Sequence, residues 1–305
     1  MPLNKLIIVS GATGLIGSKL SKRLVDLGYD IVSLTRNVEK SKSVVPWSKY
    51  HLSYTQLEQI GELIPKSLAI INLAGAPIAG KRWTKKYKEE ILNSRTQTTK
   101  LLVSLINKSH RKPHLLINAS AIGYYGNTND TIIDEASPNG NGFLADVTKQ
   151  WEQETKCISP ETNLIIARLG VVLDSEGGAL KKMLLPFKFY VGGAIGTGKQ
   201  WMSWIHIADL IDMFVWCLEN NLSGTINFTS PNPTKMIDFS KTLGNILHRP
   251  SIFRMPAFAL NLLLGEASTM ITDSCKVLPK IALDKGYKFN YPTIKCALSQ
   301  LIKSL

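Results

Sequence analysis

The stretch Lys5-Leu6-Ile7-Ile8-Val9-Ser10-Gly11-Ala12-Thr13-Gly14-Leu15-Ile16-Gly17 decides the fold. A short β-branched apolar run passes directly into G-x-x-G-x-x-G, and an amphipathic helical pattern, Leu15 to Leu27, follows at once. In a dinucleotide site each glycine has its own task. One lets the strand turn, one lets the backbone approach a pyrophosphate, and the last lets helix and sheet pack closely. The helix N-terminus adds unpaired N–H groups and the positive end of its dipole. A strand before and a helix after are the context that gives a glycine triplet this meaning. The plainer alternative is a tight strand–helix turn with no ligand.

The next strand bears on which nucleotide is held. Gly28-Tyr29 closes the turn after the helix, and Asp30-Ile31-Val32-Ser33-Leu34-Thr35 reads as the second strand. An NAD site wants a carboxylate at the end of that strand, for the ribose 2′-hydroxyl. Here the strand ends in Thr35-Arg36, and Asp30 stands at its beginning. A guanidinium at that place can fork onto a 2′-phosphate and stack on adenine, which favours NADP over NAD. An ordinary solvated arginine just past a strand is the alternative.

Working outward, strand-like and helix-like segments alternate through the first half. Gln56 to Ile64 suits a short helix, and Leu68-Ala69-Ile70-Ile71-Asn72 is an apolar run of strand length. Thr84 to Lys108 is a long helical pattern whose inner face carries Tyr87, Ile91, Leu101, Leu102 and Leu105. Leu115 to Ala119 is another buried strand, Gly142 to Cys157 is helical, and Asn163 to Arg168 is strand again. Continuous apolar strands separated by helices predict a parallel sheet covered on both faces, a Rossmann-type doubly wound α/β fold. Beyond about Leu173 glycine and proline become frequent. Thr225 to Phe228 is expected to return to the main sheet, and Met236 to Leu247 and Thr293 to Leu305 look helical. The chain therefore divides into a nucleotide-binding domain over 1–172, rejoined by segments around 204–230, and a smaller C-terminal substrate or lid lobe within 173–305. At 305 residues it exceeds the usual size of a single core.

Composition is ordinary for a soluble globular chain, with 44% hydrophobic and 19% charged residues. The longest apolar stretches, such as Ala257 to Leu264, are far too short to span a membrane and are interrupted by Asn261. No signal-peptide pattern precedes the first strand, so a cytoplasmic location is expected. The net charge of +13 is spread along the chain. Short clusters such as Lys85-Lys86 and Lys181-Lys182 lack a nucleic-acid motif around them, so neither nucleic acid nor membrane is an expected partner. A basic proteome or an anionic small-molecule ligand accounts for the charge. Cys157, Cys217, Cys275 and Cys296 show no metal or C-x-x-C spacing and read as reduced, mostly buried thiols.

A series of segments carries more than a fold: Asn72-Leu73-Ala74-Gly75-Ala76-Pro77-Ile78, Lys81-Arg82-Trp83, Asn93-Ser94-Arg95, Ser120-Ala121-Ile122-Gly123-Tyr124-Tyr125-Gly126, Trp151-Glu152, Arg168 to Leu173 and Trp204 to Leu210. In that order they resemble the NAD-dependent epimerase/dehydratase-related proteins of the short-chain dehydrogenase/reductase superfamily, and within it the atypical "epimerase family protein" subgroup. The resemblance runs from the first strand to Gly286-Tyr287-Lys288-Phe289. It implies an extended Rossmann domain with a small C-terminal lobe, and NADP(H) held in the first half. It implies that Gly11, Thr13, Gly14, Leu15, Ile16 and Gly17 line the pyrophosphate and that Thr35 and Arg36 face the 2′-phosphate. By the same resemblance Leu73 and Ala74 run along the ribose, Arg95 stands near the cofactor, and Val172 reaches the nicotinamide side.

The chemistry of that superfamily uses a tyrosine and a lysine four residues on, sharing one helix face, with a serine or threonine near the end of the fifth strand. Aligned on the resemblance, Phe143 takes the tyrosine position and Val147 the lysine position. Shifting register to make Lys149 the lysine puts Ala145 where tyrosine should be, and the polarising position falls on Ala121, beside Ser120. The usual pair is missing. Tyr124, Tyr125 and Ser120 are the substitute catalytic candidates, with Arg95 or Lys149 as a helping cation. Aromatic packing beneath the lobe explains the tyrosines equally well. His206 reads as a packed, hydrogen-bonded histidine, and Asp134 and Glu135 as residues of a solvated loop. Lys81-Arg82-Trp83 and Lys199-Gln200-Trp201 with Trp204 would favour an anionic ligand if they border the cleft, or serve as aromatic anchors. No metal site is expected. The leading expectation is an NADP(H)-dependent oxidoreductase of non-standard mechanism on a small carbonyl or alcohol. A non-catalytic NADP(H)-binding redox sensor and a sugar-nucleotide epimerase are the alternatives.

Overall fold

The β-branched runs become strands because a parallel sheet buried on both faces accepts apolar side chains at every position. The structure, a computed structural model, describes residues 5–79 and 81–303. Seven strands form the central sheet: β1 (Leu6–Ser10), β2 (Asp30–Thr35), β3 (Tyr50–Ser53), β4 (Ser67–Asn72), β5 (Leu115–Ala121), β6 (Asn163–Leu169) and β7 (Gly224–Phe228). Their order is β7-β6-β5-β4-β1-β2-β3, and every neighbouring pair is parallel. The chain leaves β1 in one direction to build β2 and β3, and in the other to build β4 through β7. The switch point therefore lies between β1 and β4, the place where open α/β sheets bind ligands.

Strand periodicity sorts the core into two layers. Ile7, Val9, Ile31, Ile71 and Ile117 face Leu20 and Leu24 of the helix Leu15–Asp26 and Phe214 of the helix Ile207–Glu219. Leu6, Ile8, Val32, Ile70 and Leu116 face the other way, against Ile60 of Leu57–Leu63 and Leu102 and Ile106 of Lys85–Lys108. The long helix starts where its cap dictates, since the Thr84 hydroxyl accepts the Tyr87 N–H. The helix expected over Gly142 to Cys157 is shorter, Phe143–Gln153, because the chain turns after Glu154. The last helix is Ile294–Lys303; residues 304–305 of the expected segment lie outside the described residues.

The C-terminal lobe adds the helices Gly178–Lys188, Met236–Leu247 and Ala257–Leu264, with Gly193–Ile195 pairing in parallel with Phe253–Met255. The cysteine expectation is corrected in part. Cys217 is buried and Cys275 half-buried, but Cys157 and Cys296 are exposed, one past a helix end and one on the outer face of the last helix. Among the described residues no helix is long and apolar enough to cross a membrane.

Candidate functional site

At the switch point β1 gives way to Gly11, whose φ of +77° suits glycine. Its N–H donates to the Leu34 carbonyl at 3.2 Å, and Gly14 N–H closes the loop onto the Gly11 carbonyl at 3.0 Å. A Cβ on Gly11 would lie 2.9 Å from the Leu73 carbonyl carbon, and one on Gly17 only 2.3 Å from the Gly11 oxygen. Both positions are thus closed to larger residues. Gly14, by contrast, is exposed, and a Cβ there would meet only the Gly11 oxygen, at 3.3 Å. It is the glycine whose bare backbone faces outward. The helix that follows has Gly14 as N-cap and no capping side chain, so its first-turn amides are left for solvent or an anion. Thr13, Leu15 and Ile16 are half-buried around this turn.

Neighbouring strand ends complete a cradle. Leu73 N–H donates to the Ser10 carbonyl at 2.9 Å, which lays the Leu73–Ala74 backbone along Gly11. Asn72 fixes this arrangement from below. Its Oδ1 accepts the Ser10 hydroxyl at 2.8 Å, and its Nδ2 donates to Thr99 Oγ1 at 2.9 Å and Asn118 Oδ1 at 2.7 Å. At the end of β2, Thr35 is buried and its Oγ1 accepts the Asn37 N–H at 3.2 Å, while Arg36 is exposed. Asp30 stands at the opposite end of that strand, paired with Lys49 at 2.6 Å. On the far wall the Leu15 side chain ends against Gly177, where a Cβ would come within 3.0 Å, and the Val172 carbonyl lies 3.7 Å from the Cβ position of Gly178.

Arg95 supplies unpaired charge. A Cβ on Gly75 would lie 2.9 Å from its guanidinium carbon. Nη1 donates to the Ile91 carbonyl at 2.9 Å, and the guanidinium lies 5.2 Å from the Trp151 ring centre. Burial pulls its pKa down to about 10. Among the described residues no carboxylate pairs with it.

Two of the three hydroxyls singled out as catalytic candidates, those of Ser120 and Tyr125, belong to a buried network at the ends of β5, β6 and β7. Arg168 forks onto Glu152, Nε to Oε1 at 2.9 Å and Nη2 to Oε2 at 2.8 Å. The Ser120 hydroxyl donates to Glu152 Oε1 at 2.6 Å. Arg168 Nη1 donates to the Tyr125 oxygen at 2.9 Å, and the Tyr125 hydroxyl donates to Asn227 Oδ1 at 2.7 Å. Burial pushes Tyr125 up to about 12, with Arg168 opposing. Tyr124 is half-buried, and the Arg168 guanidinium lies 3.4 Å from its ring centre. Phe143 packs edge-on against Trp83 at 5.0 Å, with Lys88 4.7 Å above its ring, and Val147 is buried in the same cluster. Ala145 is buried and Lys149 exposed.

Four further residues complete the surroundings. Glu135 does not sit on a solvated loop. Its Oε1 accepts the Asn227 N–H at 3.0 Å, both oxygens accept Ile281 N–H at 3.4 Å, and burial raises its pKa. This carboxylate ties the loop to β7 and to the helix Lys280–Asp284. His206 caps the helix Ile207–Glu219, Nδ1 accepting Ala208 N–H at 3.1 Å. Its Nε2 meets Gln300 Oε1 at 2.9 Å, and its ring stacks on Tyr291 at 3.9 Å. Trp204 is wholly buried, and Trp83 donates its Nε1–H to the Ile78 carbonyl at 2.9 Å, so both act as anchors. Asn72, Glu152, Arg168 and Asn227 had no assigned role in the sequence reading. A lone polar residue within an apolar strand was the signal for two of them, Asn72 and Arg168.

Residues 7–143 match the NAD dependent epimerase/dehydratase family, and residues 255–301 match a domain of unknown function, DUF1731. The chain is 38% identical over 301 residues to the chloroplastic epimerase family protein SDR39U1 homolog of Arabidopsis thaliana, covering 97% of this chain and 86% of that one. It is 39% identical over 303 residues to epimerase family protein YfhF of Bacillus subtilis, covering 97% of each. Among solved structures, human epimerase family protein SDR39U1 (isoform 2), crystallised with NADPH, superimposes with a TM-score of 0.90 at 29% identity, covering 98% of this chain and all of that one. The chain belongs to the NAD-dependent epimerase/dehydratase family, among the epimerase family proteins related to SDR39U1.

Proposed function

We propose that the protein binds NADP(H) in the cradle between β1, β2 and β4 and uses it to reduce or oxidise a small carbonyl or alcohol. The observation that carries the reading is the outward-facing Gly14 backbone before an uncapped helix, with Arg36 rather than a carboxylate at the end of β2. The human relative crystallised with NADPH supports it. Thr13, Leu15, Ile16 and Gly17 would hold the pyrophosphate, Thr35 and Arg36 the 2′-phosphate, and Leu73, Ala74 and Val172 the ribose and nicotinamide. Arg95, a largely buried cation with no carboxylate partner among the described residues, suits the charge of the cofactor or of an anionic substrate. When bound there, NADP(H) would supply the hydride chemistry of carbonyl reduction or alcohol oxidation. The chain must hold the proton that accompanies it.

Tyr124 is the phenol we place there. Tyr125 has its oxygen engaged by Arg168 and Asn227, and Ser120 has Glu152; both serve to position the end of β5. Arg168 fixes the ring of Tyr124 while leaving its hydroxyl free of these bonds. In reduction the phenol gives its proton to the oxygen that the hydride leaves negative. A second reading, a redox sensor that binds NADP(H) without turnover, is favoured by the apolar packing of Phe143 and Val147 where the usual tyrosine and lysine would stand.

Following reduced nicotinamide absorbance over a panel of small aldehydes and ketones separates the two. Tyr124→Phe is expected to lower kcat about 100-fold or more with NADPH binding unchanged. Tyr125→Phe is expected to cost stability of about 1–3 kcal/mol while kcat stays within a few-fold. Full turnover in Tyr124→Phe would refute the phenol assignment. Tight NADPH binding with no turnover across the panel would establish the sensor reading instead.

A further inference from the structure

The C-terminal lobe presents an apolar face that no described residue covers. Among the described residues, nine of the fourteen exposed large hydrophobic ones fall between Leu185 and Leu262, with Phe189 70%, Ile252 77%, Phe258 75% and Leu262 76% exposed. They lie on segments that are joined in the fold. The Arg249 guanidinium stacks on the Tyr190 ring at 4.2 Å, and Phe253 N–H meets the Gly192 carbonyl at 3.3 Å. Phe253–Met255 pairs with Gly193–Ile195 and leads directly into the helix Ala257–Leu264, which carries Phe258 and Leu262. Isolated exposed apolar residues are ordinary, whereas a contiguous group marks a docking surface.

Charge identifies the partner. Residues 177–208 and 239–265 contain no aspartate or glutamate, but they hold Lys181, Lys182, Lys188, Lys199, Lys241, Arg249 and Arg254. On the helix Gly178–Lys188, Leu180, Leu184 and Phe187 are buried, while Lys181, Lys182, Leu185 and Lys188 share the outer face. Lysine stems of this kind lie along an apolar surface and keep their ammonium groups at its rim. A second copy of the chain on the same face would set the cations of these two segments against one another, the flanking carboxylates Asp238 and Glu266 standing outside both segments. An anionic lipid surface accepts both parts, apolar side chains at the acyl boundary and cations at the headgroups.

We infer that the face formed by Leu185–Val191, Ile252–Met255, Phe258 and Leu262 docks the protein reversibly on anionic bilayers. The inference does not depend on the reading of the cofactor site. The test is co-sedimentation of the whole protein with vesicles of phosphatidylcholine, alone or mixed with phosphatidylglycerol, at low and high salt. Binding is expected only with phosphatidylglycerol and is expected to weaken with salt. Lys181→Glu/Lys182→Glu should weaken it about 25-fold or more, at about fivefold per removed cation. Phe258→Ser/Leu262→Ser should also weaken it, with melting temperature and NADPH binding unchanged. Failure to bind phosphatidylglycerol vesicles overturns the inference. So does a concentration-dependent dimer that Phe258→Ser/Leu262→Ser converts to monomer, which would show that a second copy covers the face.

Discussion

Replacing Arg168 by methionine isolates the buried network beneath the site. Arg168 is 4% and Glu152 8% exposed, and three guanidinium nitrogens are engaged. Arg168→Met leaves the Glu152 carboxylate buried with the Ser120 hydroxyl as its remaining partner in the network and removes the donor to Tyr125. Breaking a buried pair from one side costs about 3–5 kcal/mol. With about 2.1 cal/mol/K of unfolding entropy per residue, 305 residues give about 0.6 kcal/mol/K, so Tm should fall by about 5–8 °C. Adding Glu152→Gln removes the stranded charge and keeps an acceptor for Ser120. The double variant should therefore lose only about 1–2 kcal/mol, or about 2–3 °C. Scanning calorimetry on wild type, both single variants and the double variant yields the coupling energy. High salt should change it little, because the pair is shielded from solvent. A single variant within about 1 kcal/mol of wild type, or a double variant showing the sum of the single losses, would refute the reasoning.

Two other outcomes follow from the geometry. Gly17→Ala places a Cβ 2.3 Å from the Gly11 oxygen and 2.8 Å from Ala12 Cα, so the loop must move. A loss of about 1–3 kcal/mol and a clear weakening of NADPH binding in titration calorimetry are expected. His206 has its pKa lowered from the ordinary 6.5, chiefly by burial. A lowered histidine stabilises the fold fully above the unfolded value and loses that contribution as pH falls below it. Chemical denaturation should therefore show stability declining below about pH 6.5, a decline that His206→Asn reduces, the remainder coming from His51, whose pKa burial also lowers. Asp209, raised by burial, acts in the opposite direction.

Much of the fold could be read from local pattern. The apolar runs at Ile7–Val9, Ile70–Ile71 and Leu115–Ile117 announce buried parallel strands, and Gly11, Gly14 and Gly17 mark the switch-point turn within one short segment. What escaped depends on partners far away in the chain. Tyr125 meets Asn227 at a separation of 102 residues, and Glu135 meets the same residue's N–H at 92. A carboxylate beside a proline turn looks solvated until β7 is laid against it. Likewise, the run Ala257 to Leu264 shows its hydrophobicity in sequence, but only the lobe's geometry shows that Phe258 and Leu262 remain outside the core. Among the proposed catalytic groups the sequence named Tyr124 and Tyr125 together; burial and hydrogen bonding separate them.

The central claim is that this cradle selects NADP(H) through the end of β2. Titration calorimetry with NADPH and NADH, on wild type and Arg36→Ala, tests it directly. Wild type should bind NADPH more tightly by about 10- to 100-fold, the worth of a charge-assisted phosphate contact. Arg36→Ala should bring that ratio close to one mainly by weakening NADPH. Equal binding of both nucleotides by the wild type, or a preference unchanged in Arg36→Ala, would contradict the account.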